Sequence, residues 1–466
     1  MARSPVVPLG EARWLSLRRT AGETLRAALE RTLREEIGGG ALREGVRLPA
    51  SRVLARELGV SRGVVTDAYA QLEAQGYLVV RPRAAPVVAA VAPPVPSQRK
   101  GEALPPSPRY DFTPTTPDVT LFPVRPWLSA MRHVSRSASA ATFDYRDPRG
   151  EQRLRAILAD YLGRTRGVST DPDQIIIVQG TAQGVDVLLR TLKSRGASRI
   201  AVEDPSHTAQ HERVRAMGME LAPQPVDEHG IIVDGLEANA VIVTPAHQFP
   251  TGVVLSGERR RELLAWSRAY GALIVEDDYD AEFRYDREPV RALQGLAPEL
   301  VAQLGTVSKT LAPALRLGWI IAPDQLVDEA VRMKRLSDDF SPALDQLALA
   351  ELLRSGEYDR HLRRARAVYR QRREALLDAL RKHLPIPVEG IAAGLHLVLR
   401  LPPELDDLAI AAEAARVRIH VPALSSFTIG RGASGGLVLG FGRLHESAIE
   451  PAVRALAKVI RAHLSS

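Results

Sequence analysis

Cysteine is absent from the 466 residues, which excludes disulfides and thiolate metal sites and leaves no redox mark of compartment. No apolar run is long enough to span a bilayer, and Met1-Ala2-Arg3-Ser4-Pro5 lacks the apolar stretch of a signal peptide. A cytoplasmic protein with no membrane partner is therefore expected. Aromatic residues make up only 5% of the chain. Lysine is scarcer still: only six of the 62 basic residues are lysines (100, 193, 309, 334, 382 and 458). Arginine carries the positive charge, so a lysine inside a patterned segment invites a chemical explanation.

What is present is ordinary for a folded chain of two or more domains: 45% hydrophobic and 25% charged residues, enough for a sizeable core. The formal net charge of +7 is unevenly spread. Residues 43–83 hold seven arginines (43, 47, 52, 56, 62, 81, 83) and no lysine, against four acids (44, 57, 67, 73). That balance suits a polyanion, and a solvated basic face reads the same on charge alone.

The patterning of the same region is more specific. Leu25, Ala28, Leu29, Leu33 and Ile37 recur at a helical period over Glu23–Ile37, and Gly38-Gly39-Gly40 stops the helix. Ser51 is read as the N-cap of a short second helix carrying Val53, Leu54 and Leu58. After the turn at Gly59-Val60, Ser61 caps a third helix with Val64, Val65, Ala68, Tyr69 and Leu72, which Gly76 ends. Tyr77–Val80 and Ala85–Val88 read as short strands around Arg81-Pro82-Arg83. Two helices across a tight turn, followed by a β-ribbon, predict a winged helix-turn-helix. Residues 25–88, above all Leu48–Arg62 and Tyr69–Leu78, resemble the GntR family of DNA-binding domains. The resemblance implies a double-stranded DNA partner, with Arg52 at a phosphate-contact position, Ser51 among the DNA-binding residues, and Ser61, Arg62, Val64 and Thr66 at the front of the recognition helix. Arg62 has the fork for a bidentate guanine contact and Val64 suits a thymine methyl. Arg83-Ala84-Ala85 stands where the family has wing-tip glycines, which leaves Arg81 and Arg83 for phosphates.

The expected boundaries are residues 1–88 for this domain, a proline-rich linker over 89–109, and a second domain over 110–466. In the second domain near-continuous Ile/Val runs (174–179, 199–203, 240–244, 272–276) alternate with helical patterns, predicting a buried and mostly parallel sheet in an α/β fold. Ligands of such sheets lie at the strand ends.

The motifs fall there. Gly305–Gly318 places Lys309 among the hydroxyls of Thr306 and Ser308, with Arg316 seven residues on. An amine, hydroxyls and a guanidinium suit an aldehyde cofactor that carries a phosphate, although a Lys/Arg pair on a solvated loop has the same letters. Gln179-Gly180-Thr181-Ala182 follows a strand and opens a helix, where free N–H groups bind phosphate. Ile274–Phe283 ends a strand in acids, and Asp277 and Tyr279, two residues apart, share a face. Such an acid cluster also reads as a magnesium site.

These segments resemble fold-type I aminotransferases, which bind pyridoxal 5′-phosphate (PLP). The resemblance implies covalent attachment at Lys309, a phosphate site from Thr181, Ala182, Thr306, Ser308 and Arg316, Asp277 at the pyridine nitrogen and Tyr279 at its oxygen. His207 is placed against the ring, and Tyr145 reaches the phosphate from a second subunit. Thr244–Gly252 departs from the aminotransferase Asn-Pro-Thr-Gly pattern: Phe249 takes the asparagine position, and His247 and Gln248 add polar groups toward the ring oxygen. That stretch, and the joined order of domains, resembles the MocR subfamily of GntR regulators. An arginine that holds an amino acid's carboxylate would stand two residues before Gly440-Phe441, where this chain has Val438; Arg443 follows. The expectation is a homodimeric regulator, not an enzyme, that binds an operator of repeated half-sites and responds to PLP, as in the PdxR-like branch, or to an amine. No residue is assigned to a metal. An aminotransferase with a spare DNA module is the alternative.

Overall fold

The computed structural model describes all residues except 1–14, 16, 83, 91–106, 286–289, 385, 431–434 and 465–466. The chain separates into two compact units, Met1–Pro105 and Pro106–Ser466. Much of the expected linker, like Arg83 of the wing, lies outside the described residues.

The first unit contains α1 (Leu25–Gly38), α2 (Ser51–Leu58), α3 (Arg62–Ala74), β1 (Leu78–Val79) and β2 (Val87–Val88). Thr24 caps α1 by accepting from the Ala27 N–H, and Ser61 caps α3 by accepting from that of Val64. Ser51 is not the N-cap expected of it. Ala50 holds that position without a side-chain bond, and Ser51 is the first helical residue, its Oγ 3.5 Å from Arg62 Nε. Gly59 adopts the left-handed conformation (φ 65°) that lets α2 turn into α3. The ribbon is antiparallel, Leu78 opposite Val88. The periodic residues supply the core: Leu29, Leu33, Leu54, Val65, Leu72, Leu78 and Val88 pack in one cluster.

The second unit opens with β3 (Tyr110–Asp111), α4 (Val124–Ser137) and α5 (Gln152–Arg166). Its main sheet is built from β4 (Ile175–Val178), β5 (Arg199–Asp204), β6 (Glu220–Asp227), β7 (Gly230–Ile231), β8 (Ala240–Val243), β9 (Leu273–Asp278), β10 (Val301–Thr306) and β11 (Gly318–Ile321). The crossing helices are α6 (Thr181–Ser194), α7 (Thr208–Ala216) and α8 (Gly257–Tyr270). Strand order is β4-β11-β10-β9-β8-β5-β6-β7. Neighbours from β10 to β6 are parallel, and β11 runs antiparallel between β10 and β4. Both faces are covered, which explains the continuous apolar runs. Ile242 and Val275 pack in one cluster with Val185 and Leu188 of α6, while Val243 and Ile274 pack in another with Leu263 and Trp266 of α8.

The remainder is α9 (Asp324–Asp338), α10 (Ala343–Arg354), the long α11 (Glu357–His383), β12 (Val388–Glu389), β13 (His396–Arg400), α12 (Asp407–Arg416), β14 (Ile419–His420), β15 (Gly436–Gly440) and α13 (Glu446–Leu464). β12, β13 and β15 form a separate antiparallel sheet. No helix among the described residues is long and apolar enough to cross a membrane.

Candidate functional site

Five segments leave the carboxyl ends of β4, β5, β8, β9 and β10 and meet in one pocket. It is lined by Thr115, Thr181, Glu203, Ser206, His207, Gln210, Thr244, Phe249, Asp277, Tyr279 and Lys309.

Strand alternation divides the acids of β9 by face. Glu276 and Asp278 turn away from the pocket. Glu276 accepts the N–H groups of Leu293 and Gln294 at 3.0 Å, and Asp278 pairs with buried Arg166 at 2.8 Å. Asp277 and Tyr279 turn toward it. Asp277 Oδ2 accepts from Gln210 Nε2 at 2.9 Å, while its buried Oδ1 has no partner among the described residues. Burial, and next the charge of Asp278, push its carboxyl up to about 7. Burial of Lys309 holds its amine below the usual lysine range, against the opposing pull of Asp280 and Asp277. Glu203 is also pushed up to about 7 by burial, although it accepts from the Thr244 N–H and hydroxyl at 3.0 and 2.6 Å.

The turn that carries Lys309 is braced from α11: Tyr358 donates to Thr310 Oγ1 at 2.9 Å, and His361 Nε2 lies 2.6 Å from the Thr310 carbonyl. α6 begins at Gly180 (φ 78°) with no side-chain cap, so its first N–H groups are not answered by a capping oxygen. Arg316 donates to the Gln179 carbonyl at 2.6 Å. A Cβ on Gly180 would stand 3.2–3.3 Å from the Arg316 guanidinium, so glycine is what lets the arginine lie across the helix start. Thr181 and Ala182 are the first two residues of that helix. Ser308, Ala182 and Arg316 are not among the residues that line the pocket; the Ser308 hydroxyl lies 2.9 Å from Thr306 Oγ1. Thr306 itself is buried and its hydroxyl also lies 3.1 Å from the Leu317 carbonyl, so it braces the turn and does not line the pocket.

His207 is exposed at the rim, its ring 5.3 Å from that of Phe249, and partial desolvation, then the charge of Lys309, holds its imidazole below the usual range. His247 does not line the pocket. It sits behind Tyr279, whose hydroxyl donates to the His247 carbonyl at 3.0 Å. Gln248 is fully engaged, with its amide on the Pro205 and Phe249 carbonyls and its oxygen on Thr251; it holds the turn together and has no group left for a ligand. Tyr145 is 87% exposed and touches Phe340. Val438 is fully buried in an apolar cluster with Val398 and Leu424. Arg443 pairs with Asp111 at 2.8 Å, and no arginine lines the pocket among the described residues.

Sequence reasoning missed Glu203, Ser206, Gln210, Thr244 and Thr115. Gln210 had a signal: it lies one helical turn beyond His207, on the same side of α7. Thr115 had none, since its unusual left-handed backbone (φ 54°) is a property of the folded chain.

In the first unit Arg52, Ser61, Arg62, Thr66 and Arg81 are exposed, while Ser51 and Val64 are half-buried. Thr66 Oγ1 donates to the Arg62 carbonyl, fastening the first turn of α3 while the Arg62 side chain faces solvent.

The unmatched carboxylate predicts a pH dependence. Asp277 and Glu203 ionise near the ordinary carboxylate range in the unfolded chain and at about 7 when folded. Between these values the folded state binds more protons, so stability falls as pH rises toward 7. The melting temperature of the cofactor-free protein drops across this window, and Asp277→Asn flattens the drop; an unchanged slope in the variant refutes the assignment.

A parallel sheet with a lysine, a carboxylate and an open helix start at one edge, joined in one chain to a winged helix, defines a regulator built on an aminotransferase-like fold. The family model "Aminotransferase class I and II" matches residues 115–456, and "Bacterial regulatory proteins, gntR family" matches residues 25–88. The chain belongs to the GntR/MocR family of DNA-binding transcriptional regulators. It is 35% identical to the HTH-type pyridoxine biosynthesis transcriptional regulator PdxR of Corynebacterium glutamicum, over 90% of this chain and 92% of that one. It is 31% identical to the probable rhizopine catabolism regulatory protein MocR of Rhizobium meliloti, over 97% of each. Among solved structures, an archaeal alanine:glyoxylate aminotransferase superposes with TM-score 0.70 at 26% identity, covering 76% of this chain and 91% of that one. LysN, the α-aminoadipate aminotransferase of Thermus thermophilus, solved with N-(5′-phosphopyridoxyl)-L-leucine, gives 0.69 at 25%, covering 76% and 92%. The two relatives that match nearly the whole chain are both named as regulators, of pyridoxine biosynthesis and of rhizopine catabolism, in keeping with the regulatory family.

Proposed function

We propose that the second unit binds PLP on Lys309 and that its occupancy changes how the winged helix engages DNA, so that the protein controls vitamin B6 or amino-acid genes. The observation that carries the reading is Asp277: a buried carboxylate oxygen without a partner among the described residues, beside a lysine. Burying that charge is unfavourable unless a cation meets it, and a protonated pyridine is such a cation. Bound PLP supplies an aldehyde that condenses with an amine and a ring that withdraws electrons. The residues fit the group. Lys309, its amine held below the usual lysine range by burial, would be the nucleophile. Asp277, held by Gln210, fixes the ring nitrogen's proton. Tyr279 and His207, both in the pocket wall, would border the ring. The start of α6 at Thr181 and Ala182, with Ser308 and Arg316, holds the phosphate. His247 and Thr306 position Tyr279 and Ser308 from behind, and exposed Tyr145 is free to serve a second subunit's phosphate in a homodimer.

The effector is PLP itself. Val438 stands where an arginine would grip an amino acid's carboxylate, and its surroundings are apolar. The name of the C. glutamicum relative, a pyridoxine biosynthesis regulator, supports this choice. Two copies of the first unit present Arg52, Arg62, Thr66 and Arg81 to repeated half-sites.

The test is a titration of cofactor-free protein with PLP, read by absorbance and by binding to the DNA upstream of its own gene. The expected result is a visible band and a change in DNA affinity or footprint without any amino acid. A band with no effect on DNA until an amine is added makes the amine the effector. Steady conversion of an amino acid with a keto acid establishes the aminotransferase reading instead.

A further inference from the structure

Behind Tyr279, on the side away from the pocket, three polar side chains are packed together with at most 2% of their surface exposed: His247, Asp280 and His396. They come from distant parts of the chain. His247 follows β8, Asp280 follows β9, and His396 opens β13 of the separate C-terminal sheet. One ligating atom of each lies within 4.8 Å of the others, and the two imidazole rings are 4.9 Å apart.

Their hydrogen bonds fix the tautomers. His396 Nε2 lies 3.1 Å from the Pro250 carbonyl, which can only accept, so Nε2 carries the proton and Nδ1 is a bare lone pair. His247 Nδ1 lies 3.1 Å from Asp280 Oδ2 and 3.3 Å from the Tyr279 hydroxyl. That hydroxyl spends its proton on the His247 carbonyl, so against the carboxylate the neutral ring carries its proton on Nδ1 and Nε2 is bare. Both bare nitrogens are buried, and neither has a partner among the described residues. Two lone pairs of this kind, each on a ring whose other nitrogen donates to a carboxylate or a carbonyl, is the arrangement of metal-binding histidines. Oxygen-preferring cations would not choose imidazole; the zinc class does.

We propose that His247 and His396 bind a divalent transition-metal ion, with Asp280 supplying the compensating charge. Two nitrogens at about 2.1 Å from one ion stand at most about 4.2 Å apart, and the ligating atoms of the cluster lie within 4.8 Å of one another, close to ligation distance. The ion would tie the C-terminal sheet to the strand ends of the main sheet and fix the segment that receives the Tyr279 hydroxyl. Nothing in this depends on the PLP reading, since no ligand of the ion lines the pocket.

The test uses the untagged full-length chain, stripped with a chelator and titrated with Zn²⁺ and Co²⁺. The expected result is about one ion per chain, a raised melting temperature, and a Co²⁺ absorption of nitrogen ligation. His396→Met removes all three, Asp280→Asn weakens binding about 10–100-fold, and His229→Ala, at an exposed histidine, changes nothing. Should His396→Met fail to fold, Asp280→Asn and the metal content of the unaltered chain decide. A substoichiometric content with no thermal response, or a response that both cluster variants retain, overturns the proposal and leaves a water or a proton between the rings.

Discussion

Lys309→Ala abolishes the visible absorbance of lysine-linked PLP and, with it, the response of DNA binding to PLP. The loss is complete for the covalent band because no other lysine lines the pocket among the described residues. Removing this amine should not unfold the protein. Burial holds it below the usual lysine range, so its charge is not a source of stability, and the turn it stands on is held by Tyr358 and His361 through Thr310. The variant therefore keeps its cofactor-free melting temperature. It also keeps weaker, non-covalent affinity, because Asp277, Arg316 and the start of α6 are untouched. Fluorescence titration of PLP, together with footprinting, separates the two functions. If the alanine variant still shifts its footprint when saturated with PLP, occupancy of the pocket is the signal and the covalent bond is dispensable.

Much of this site was legible before folding because its residues are tied to strand ends. A buried parallel sheet announces itself by apolar runs, and the residue pattern after each run then faces one crevice. Asp277 and Tyr279 could be paired from alternation alone, and the structure puts both in the wall while sending Glu276 and Asp278 to backbone N–H groups and Arg166. What could not be read was the layer behind. His247 and Gln248 looked available to a ligand, yet one backs Tyr279 and the other closes its own turn; side-chain direction in a loop has no period to betray it. Ser51 looked like an N-cap for a related reason, since the preference for serine at helix starts does not separate the cap from the residue after it. The proximity of His247 and His396 joins residues far apart in the chain, one in the loop after β8 and one on the C-terminal sheet, and has no local signal at all.

Arg62→Ala lowers operator affinity by about 5–150-fold, the worth of about 1–3 kcal/mol for a lost bidentate base contact, and relaxes preference at the base it reads. The effect is attributable to DNA because Arg62 contributes little to the fold. Its side chain is exposed, its one polar neighbour among the described residues, Ser51 Oγ, is at 3.5 Å, and Thr66 bonds the Arg62 carbonyl, which alanine retains. Arg62→Lys recovers only part of the loss, since an ammonium cannot reproduce the fork. Arg52→Ala behaves differently: a phosphate contact carries no sequence information, so affinity falls evenly across sequences and the salt dependence loses about one unit of slope. Operator titrations at several salt concentrations, with matched and single-base-altered duplexes, distinguish these outcomes. A sequence-independent loss for Arg62→Ala would move Arg62 to the backbone. The reading of bases would then pass to half-buried Val64 and exposed Thr66, which share the first turns of α3 and can reach a base edge only if the helix lies deeper in the groove.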